Sequence, residues 1–238
     1  MFLEMLRLTT KFFQNTKHAG KRLHLAGVDS IIHKKSENFS ENELGTEEYQ
    51  QIVEKMETCL DKFTVLSGMA APQIGIPKRM IIIKRHYTPS GKSQLIDYLD
   101  SLVPEDEGNR ETFILVNPDY KPLDEQFSHK VEEQCGSVPM FSAEIPRFKF
   151  IQLDAICGDS GEKISLELSD YDSMIMQHEI DHLEGITLLD RARESNQKIN
   201  LDMAIVGKSR FGYIFNFAFL KYFFKMFLGG GYKKEFRS

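Results

Sequence analysis

The sequence SDYDSMIMQHEIDHLEG (169–185) contains two histidines four residues apart, His178 and His182, and Glu179 directly follows the first. Residues at this spacing lie on one face of an α-helix, so the two imidazoles can bind one divalent ion. Glu179 would then lie beside the ion, where its carboxylate can take a proton from bound water. The stretch therefore predicts a helix that carries a metal site.

The same stretch predicts where the helix begins and ends. Ser169, followed three residues later by Asp172, resembles a capping box at a helix N-terminus. Gly185 supplies the residue at which such a helix ends. The apolar residues of the stretch include Met174, Ile175 and Leu183. We therefore expect a helix of about 15 residues that is buried in the centre of the domain.

Two imidazoles leave the site one ligand short of the three that a protein usually supplies. The metzincin pattern places a third histidine six residues after the second, but that residue is Leu188. A downstream glutamate of the thermolysin type is also missing, because Glu194 is too close and Glu235 lies in a basic tail. No good third ligand follows the helix.

Upstream of the helix, Cys135 offers a better third ligand. It lies in VEEQCGSVP (131–139), between strand-like segments and 43 residues before His178. Its polar neighbours make it a poor apolar filler, and its thiolate would complete a Cys-His-His set with an open position for water. We read the other two cysteines, Cys59 and Cys157, as small buried hydrophobic residues.

The composition is that of a soluble globular chain, with 238 residues, 41% hydrophobic and 27% charged. This length predicts one domain, or one domain with appendages, that can bury a hydrophobic core without disulfide or metal cross-links. Three cysteines, an odd count, argue against a secreted disulfide scaffold. Repeat architectures are excluded as well, because no sequence period appears.

Charge divides the chain into three parts. Residues 1–22 carry a net charge of +4, residues 208–238 one of +6, and residues 23–207 one of −15. We expect a basic N-terminal arm (1–22), a catalytic domain (23–200) and an aromatic, basic C-terminal tail (201–238). Basic ends on an acidic body favour anionic partners at the ends, although solvated basic termini are the simpler interpretation.

The remaining patterns predict an α+β fold, because several short strands precede one long helix. Residues 46–63 have the apolar spacing of a helix, and 67–79 contain the glycines and prolines of a loop. Residues 86–110 are polar and irregular, like an insertion. Strands are predicted at 80–84, 113–118, 147–156 (with Phe148, Phe150, Leu153 and Ile156 alternating) and 164–168.

Three motifs in the same order resemble those of the peptide deformylase family: MAAPQIG (69–75), EQCGS (133–137) and QHEIDHLEG (177–185). The resemblance covers about residues 27–195. It implies an α+β fold in which antiparallel strands wrap around a central helix with the two histidines. Three residues depart from the usual family motifs, Gln134 for glycine, Gly136 for leucine and Leu66 for glycine, and none of them removes a ligand.

The resemblance implies hydrolysis of the N-formyl group from the initiator methionine of nascent polypeptides, with release of formate. Glu179 would be the general base, and the Gln73 side-chain amide and the Gly136 N–H would face the developing oxyanion. The Gly68 backbone would pair with the substrate. The methionine pocket would use Val131, Tyr171, Met174 and Ile175.

The metal follows less directly from the residues. A thiolate with two imidazoles suits Zn²⁺ and Fe²⁺ equally well. The family resemblance implies Fe²⁺ in the cell, with Ni²⁺, Co²⁺ or Zn²⁺ able to replace it. A ferrous site with a cysteine ligand fits a reducing compartment.

The two ends of the chain predict its location and partners. The basic, acid-poor residues 1–22 suit an organelle-targeting segment or an ordinary arm, so both a bacterial cytoplasm and an organelle stay open. Residues 211–228 hold fourteen apolar or aromatic residues, with Lys221 and Lys225 on one face. Such a helix favours peripheral membrane contact through the 208–238 tail. The ribosome, a partner protein, the protein's own body and a dimer contact are the alternatives, and no specific DNA binding is expected.

Two other functions compete with a deformylase. The first is a diverged, weakly active or non-catalytic relative that binds metal or formyl-peptide, which the departures at Gln134 and Gly136 motivate. The second is a metalloprotease with a different third ligand. Release of formate from a formylated peptide distinguishes a deformylase from the non-catalytic relative. A lack of activity on unformylated peptides distinguishes it from the metalloprotease.

Overall fold

The computed structural model describes residues 30–61, 63, 66–88, 91–102, 111–124 and 128–201. The predictions for the basic arm (1–22) and for the apolar tail (208–238) lie outside these residues. Within the described part of the chain, none of the helices is long and apolar enough to cross a membrane.

Three antiparallel sheets form the framework, and the largest has five strands in the order β1-β2-β5-β8-β9. A three-stranded sheet has the order β10-β7-β6, and β3 pairs with β4. The strands are β1 (Gly68–Ala70), β2 (Met80–Lys84), β3 (Tyr87–Thr88), β4 (Gly91–Lys92), β5 (Thr112–Pro122), β6 (Ser128–Cys135), β7 (Val138–Phe148), β8 (Phe150–Cys157), β9 (Lys163–Ser169) and β10 (Ile199–Leu201).

Four α-helices accompany the sheets in the described residues. They are α1 (Glu47–Leu60), α2 (Gln94–Ser101), α3 (Asp170–Leu183) and α4 (Leu188–Glu194). Short 3₁₀ helices span Ser30–His33, Glu41–Glu43 and Ala71–Ile74. The predicted mixed fold with antiparallel sheets and several helices is confirmed.

Alternation along the strands of the large sheet creates two cores. On β2, Ile81 and Ile83 face a cluster that contains the apolar residues of α2 and α3. Met80 and Ile82, on the opposite face, pack against α1. The helix with the histidines therefore lies against one face of the sheet, and residues 175–183 are buried throughout.

The C-terminal end of α3 is fixed by a glycine. Gly185 has a φ of +77°, a left-handed conformation that glycine adopts without steric cost. Its N–H donates to the carbonyl of His182 (3.2 Å), and the N–H of Ile186 donates to that of Asp181 (2.8 Å). This is a Schellman motif, so the predicted end of the helix is confirmed.

The N-terminal end differs from the prediction. Ser169 occupies the N-cap position but its side chain makes no capping hydrogen bond. Asp172 does not complete a capping box either. Its carboxylate accepts hydrogen bonds from His86 and Ser93 instead, because the segment before β5 supplies stronger buried donors.

Three other sequence predictions were wrong in detail. Residues 67–79, predicted as a loop, contain β1 and a 3₁₀ helix. Residues 86–110, predicted to be irregular, contain α2, whose apolar residues belong to the core. The alternation predicted for 147–156 places Phe150 in the interior, but Phe150 is exposed and its neighbour Ile151 is buried. The cause is that β7 ends at Phe148 in one sheet and β8 begins at Phe150 in another.

Candidate metal centre and substrate cavity

Two elements bring the predicted ligands together. His178 and His182 lie one turn apart on α3, with ring centroids separated by 5.1 Å. Cys135 is the last residue of β6, beside the turn into β7. The register of this hairpin shifts between Gln134 and Cys135, and such irregularities re-aim side chains next to functional sites.

The three ligand atoms of Cys135, His178 and His182 lie within 4.8 Å of one another, and all three residues are buried. The Cys135 Sγ is 3.2 Å from the Nε2 of His182. Burial raises the pKa of the Cys135 thiol, but the two imidazoles outweigh burial and hold it well below its usual value of 9.0. The sulfur is therefore poised as a thiolate, the form that binds metal ions.

His178 is oriented by a carboxylate to which the sequence reading assigned no role. The Nδ1 of His178 lies 2.8 Å from the Oε2 of Glu133, so this nitrogen donates and Nε2 is left as the ligand atom. Burial raises the pKa of Glu133, but hydrogen bonds from Arg147 and His178 outweigh burial and lower it to about 2. Glu133 is thus an anion that fixes the imidazole.

A buried chain of charges supports Glu133. Arg147 donates through Nε to Glu133 (2.6 Å) and through Nη1 to Asp181 (2.6 Å). Asp181 also accepts from the Nε of Arg191 at 2.9 Å. Nothing in the local sequence around Arg147 indicated this role, because its partners come from β6 and α3.

Glu179 lies beside the ligands with one oxygen unused. It is buried, and its Oε2 has no hydrogen-bond partner among the described residues. Burial raises the pKa of Glu179, and the charges of His178 and His182 oppose that shift. Gly68 approaches closely, since a Cβ on this residue would lie 3.2 Å from the Oε1 of Glu179. The glycine therefore leaves room for the carboxylate.

Gln73 is held with its amide nitrogen toward the ligands. Its Oε1 accepts from the backbone N–H of Ala70 at 2.8 Å. Its Nε2 lies 3.2 Å from the Oγ of Ser137 and 3.9 Å from the Cys135 Sγ. This hydrogen-bond pattern orients the amide N–H groups toward the site rather than toward solvent.

A cavity of about 350 Å³ opens onto these groups. It is lined by residues 66–68, Gln73, residues 132–136, and Tyr171, Met174, Ile175, His178 and Glu179. Gly136 and the departure residue Gln134 are therefore part of the wall. Of the predicted pocket residues, Tyr171, Met174 and Ile175 are in the lining, and Val131 is not: it lies half-buried on β6.

The edge of the large sheet borders the same cavity. The Ala70 N–H points away from β2 and donates to Gln73, whereas the Ser67 carbonyl accepts from Lys84 of β2. Since backbone direction alternates along a strand, the N–H and C=O of Gly68 face the outer edge. β1 is a terminal strand in the described sheet, so an extended peptide can pair there.

Comparisons with known proteins agree with this geometry. The family model described as polypeptide deformylase matches residues 24–198. The chain belongs to the peptide deformylase family. This is a family of hydrolases, and the match includes the three motifs together with the three predicted ligands.

Individual deformylases resemble the chain at moderate identity. A peptide deformylase from Wolinella succinogenes is 31% identical over 165 residues, 68% of this chain and 82% of that protein. One from Aquifex aeolicus is 29% identical over 57% of this chain and 68% of its own length. Peptide deformylase 1A of Arabidopsis thaliana, chloroplastic/mitochondrial, is 27% identical over 76% of this chain and 65% of its own length. The chain thus spans about two thirds of the length of the latter two.

Solved deformylases share the fold. A Met-Ala-Ser-bound class I type b peptide deformylase from Acinetobacter baumannii has a TM-score of 0.56 at 25% identity, over 72% of this chain and 97% of that one. The peptide deformylase from Thermotoga maritima has a TM-score of 0.55 at 26% identity, over 73% and 98%.

Proposed function

We propose that this protein is a metal-dependent peptide deformylase that removes the formyl group from the initiator methionine of nascent polypeptides. One observation carries the proposal: a buried thiol and two imidazoles converge within 4.8 Å, and Glu179, in the same cavity, has an oxygen with no hydrogen-bond partner in the described part of the chain. A purely structural cluster would leave no reason for a buried carboxylate oxygen without a partner.

The donor set fits a single divalent ion, held by Cys135, His178 and His182. Thiolate and imidazole are the ligands of Zn²⁺ and of Fe²⁺, and we take Fe²⁺ as the native ion, with Zn²⁺, Ni²⁺ or Co²⁺ as substitutes. The ion supplies a Lewis acid that increases the acidity of a neighbouring solvent molecule.

Glu179 moves the proton in this mechanism. Its free Oε2 accepts a proton from the attacking water and then passes it to the leaving amine of the peptide. Burial raises the pKa of the Glu179 carboxyl, which makes the carboxylate a stronger proton acceptor. The absence of a Cβ on Gly68 leaves the space that the carboxylate occupies next to the substrate edge of β1.

Two N–H donors stabilise the charge that develops on the formyl oxygen. The Nε2 of Gln73 is held by the contacts of its own amide, and the backbone N–H of Gly136 is the second donor. Losing one donor of this kind costs about 10²–10³ in rate. Glycine at residue 136 retains its N–H, although it supplies no side-chain wall.

The substrate would bind as an added strand. Its backbone pairs with the outward-facing N–H and C=O of Gly68, which places the N-terminal residue against α3. Tyr171, Met174 and Ile175 then form an apolar wall for the methionine side chain. Val131 is a less direct contact, because it lies outside the cavity lining.

Relatives named here include bacterial and chloroplast or mitochondrial proteins, so a bacterial cytoplasm and an organelle both fit the chain. We keep membrane contact as the role of residues 208–238, with ribosome docking as the alternative. Unchanged liposome flotation after deletion of this tail would contradict the membrane contact.

The decisive test of the activity is formate release from formyl-Met-Ala-Ser by anaerobically metal-loaded protein. Wild type should release formate and should leave unformylated Met-Ala-Ser intact. E179Q, which keeps the shape of the side chain, should retain the metal and lose turnover. A metal-loaded wild type that binds peptide but releases no formate would instead identify a non-catalytic relative.

A further inference from the structure

The segment between β2 and β5 is longer than is needed to connect these two strands. These two strands are antiparallel neighbours, which a hairpin turn of about 2–5 residues can join. The chain uses residues 85–111 instead, and places α2 within them. Leu95, Ile96 and Leu99 of this helix pack in the same core as Tyr171, Met174 and Ile175 of α3.

One buried carboxylate attaches this segment to α3. Asp172 is 2% exposed, and its Oδ1 accepts from the Nε2 of His86 (2.8 Å) and from the Oγ of Ser93 (2.7 Å). Its Oδ2 accepts from the backbone N–H of Leu95 at 3.2 Å. Ser93 also caps α2. The acid on α3 therefore holds the segment at three points.

His86 connects this attachment to the cavity wall. Its ring meets Tyr171 edge-on, with centroids 5.4 Å apart and planes at 73°. The other ring nitrogen, Nδ1, lies 2.9 Å from the Lys84 carbonyl, so the imidazole is held on both sides. Tyr171 in turn lies in the cavity lining, and its hydroxyl is 2.9 Å from the Oγ of Ser67.

We propose that His86, held by Asp172, is a positioning residue that sets the place of the Tyr171 ring and thereby the fit of the methionine pocket. This inference rests on the proposed function, since it assigns a specificity determinant to the same cavity. His86 is not among the described residues that line the cavity, whereas Tyr171, which it contacts, is, so His86 would act on binding through Tyr171.

Both ring nitrogens of His86 face oxygen acceptors, and only the imidazolium form has an N–H to donate to each of them. Burial lowers the pKa of His86, but hydrogen bonds to Asp172 and to the Lys84 carbonyl outweigh burial, and the net pKa lies above 6.5. Arg85, which precedes His86 in the sequence, forms an ion pair with Asp100 at 2.7 Å. The imidazolium thus has Asp172 as its counter-ion.

The test compares full-length, metal-loaded H86A with wild type. We measure kcat and KM for formyl-Met-Ala-Ser, and the Kd of the product Met-Ala-Ser by calorimetry. H86A should raise KM and Kd about three- to tenfold, because this is the change in affinity that the loss of one aromatic pair produces. It should leave kcat within about twofold. H86L fills part of the volume without an aromatic ring and serves as a second comparison if H86A does not fold.

Two further variants separate positioning from simple packing. H86F keeps an aromatic ring against Tyr171 but loses the hydrogen bonds to Asp172 and to the Lys84 carbonyl, so it should recover part of the lost affinity. S93A removes a different donor to Asp172 and should leave KM and Kd unchanged. Unchanged KM and Kd in H86A and H86L, or an H86F as impaired as H86A, would overturn the inference.

The two readouts also distinguish this inference from the proposed function. A wild type that releases no formate, together with weakened Met-Ala-Ser binding in H86A, would reject the deformylase activity and support the positioning role. Formate release by wild type, together with an equal Kd for Met-Ala-Ser in wild type and H86A, would support the deformylase activity and reject the positioning role.

Discussion

The Nδ1 of His178 and the Oε2 of Glu133 lie 2.8 Å apart, and both residues are buried. The contact selects the tautomer of His178 and leaves its Nε2 as the ligand atom. Since Arg147 binds the same carboxylate through two nitrogens, ligand orientation depends on a residue of β7 that never touches the metal site.

Replacing Glu133 by Gln should therefore weaken metal binding. The amide keeps the volume but loses the charge that holds His178, and losses at such positions cost about 10–100-fold in metal affinity. Metal content after dialysis against a graded chelator measures the effect. E132Q, at the exposed neighbour, is the matched control and should keep its metal. Equal retention in the two variants would contradict the orienting role.

Replacing Arg147 by Met should destabilise the fold. It leaves Glu133 without its guanidinium and removes one of the two arginines on Asp181, and breaking a buried ion pair costs about 3–5 kcal/mol. Urea unfolding of the metal-free proteins gives the change in free energy. K149M removes an exposed cation 3.6 Å from Asp170 and should cost less than about 1 kcal/mol.

Replacing Gly68 by Ala should reduce turnover. The added Cβ would lie 3.0 Å from the Ile83 Cδ1 and 3.2 Å from the Glu179 Oε1. The carboxylate must then shift by a few tenths of an ångström, and moving a catalytic group away from its productive geometry lowers the rate. We expect kcat to fall while metal content stays constant. A normal kcat for G68A would show that the position of Glu179 tolerates this shift.

Replacing Gly185 by Ala should cost more stability than replacing Gly161. Both residues have a positive φ, +77° and +75°, so each variant carries a left-handed alanine worth about 1–2 kcal/mol. At Gly185 the Cβ would also meet the backbone of His33, at 2.8 Å, whereas at Gly161 it would meet no described residue within 4 Å. Thermal and urea unfolding of the pair isolates the steric part. Equal losses would argue against the packing of residues 30–33 on this turn.

The stability that His86 contributes should depend on pH. Because its folded pKa is raised above 6.5, the contribution is complete below 6.5 and is lost as the pH rises through the folded pKa. The pKa of Asp172 is lowered, so its own contribution fades only in acid. The difference in unfolding free energy between wild type and H86F should therefore be larger at about pH 6 than at about pH 9. A constant difference would show that His86 is not paired as an imidazolium.

The sequence predicted the parts of the site that depend on local spacing. His178, Glu179 and His182 share a helix, and their geometry follows from its period. Cys135 was found by elimination and Gln73 by the family motif, and both lie at the cavity. Glu133 stood inside a quoted motif without a role, because only its contact with Arg147 across the hairpin reveals one.

Long-range competition explains most of the wrong predictions. Asp172 has the spacing of a capping residue, yet donors more than 75 residues earlier take its carboxylate. α2 was missed because its eight residues are too short for a clear period. Phe150 was assigned to the interior because the switch from one sheet to another after Phe148 leaves no local mark.

Cys135 ends the strand β6, and the two histidines belong to a helix that follows three further strands, so no single piece of the chain holds the complete set of proposed ligands. During synthesis the third ligand is absent until His182 has left the ribosome. With the proposed ligand set, a chain still in synthesis cannot hold the metal and cannot deformylate peptides. Deformylation of its own N-terminus during synthesis therefore requires a molecule that was completed earlier.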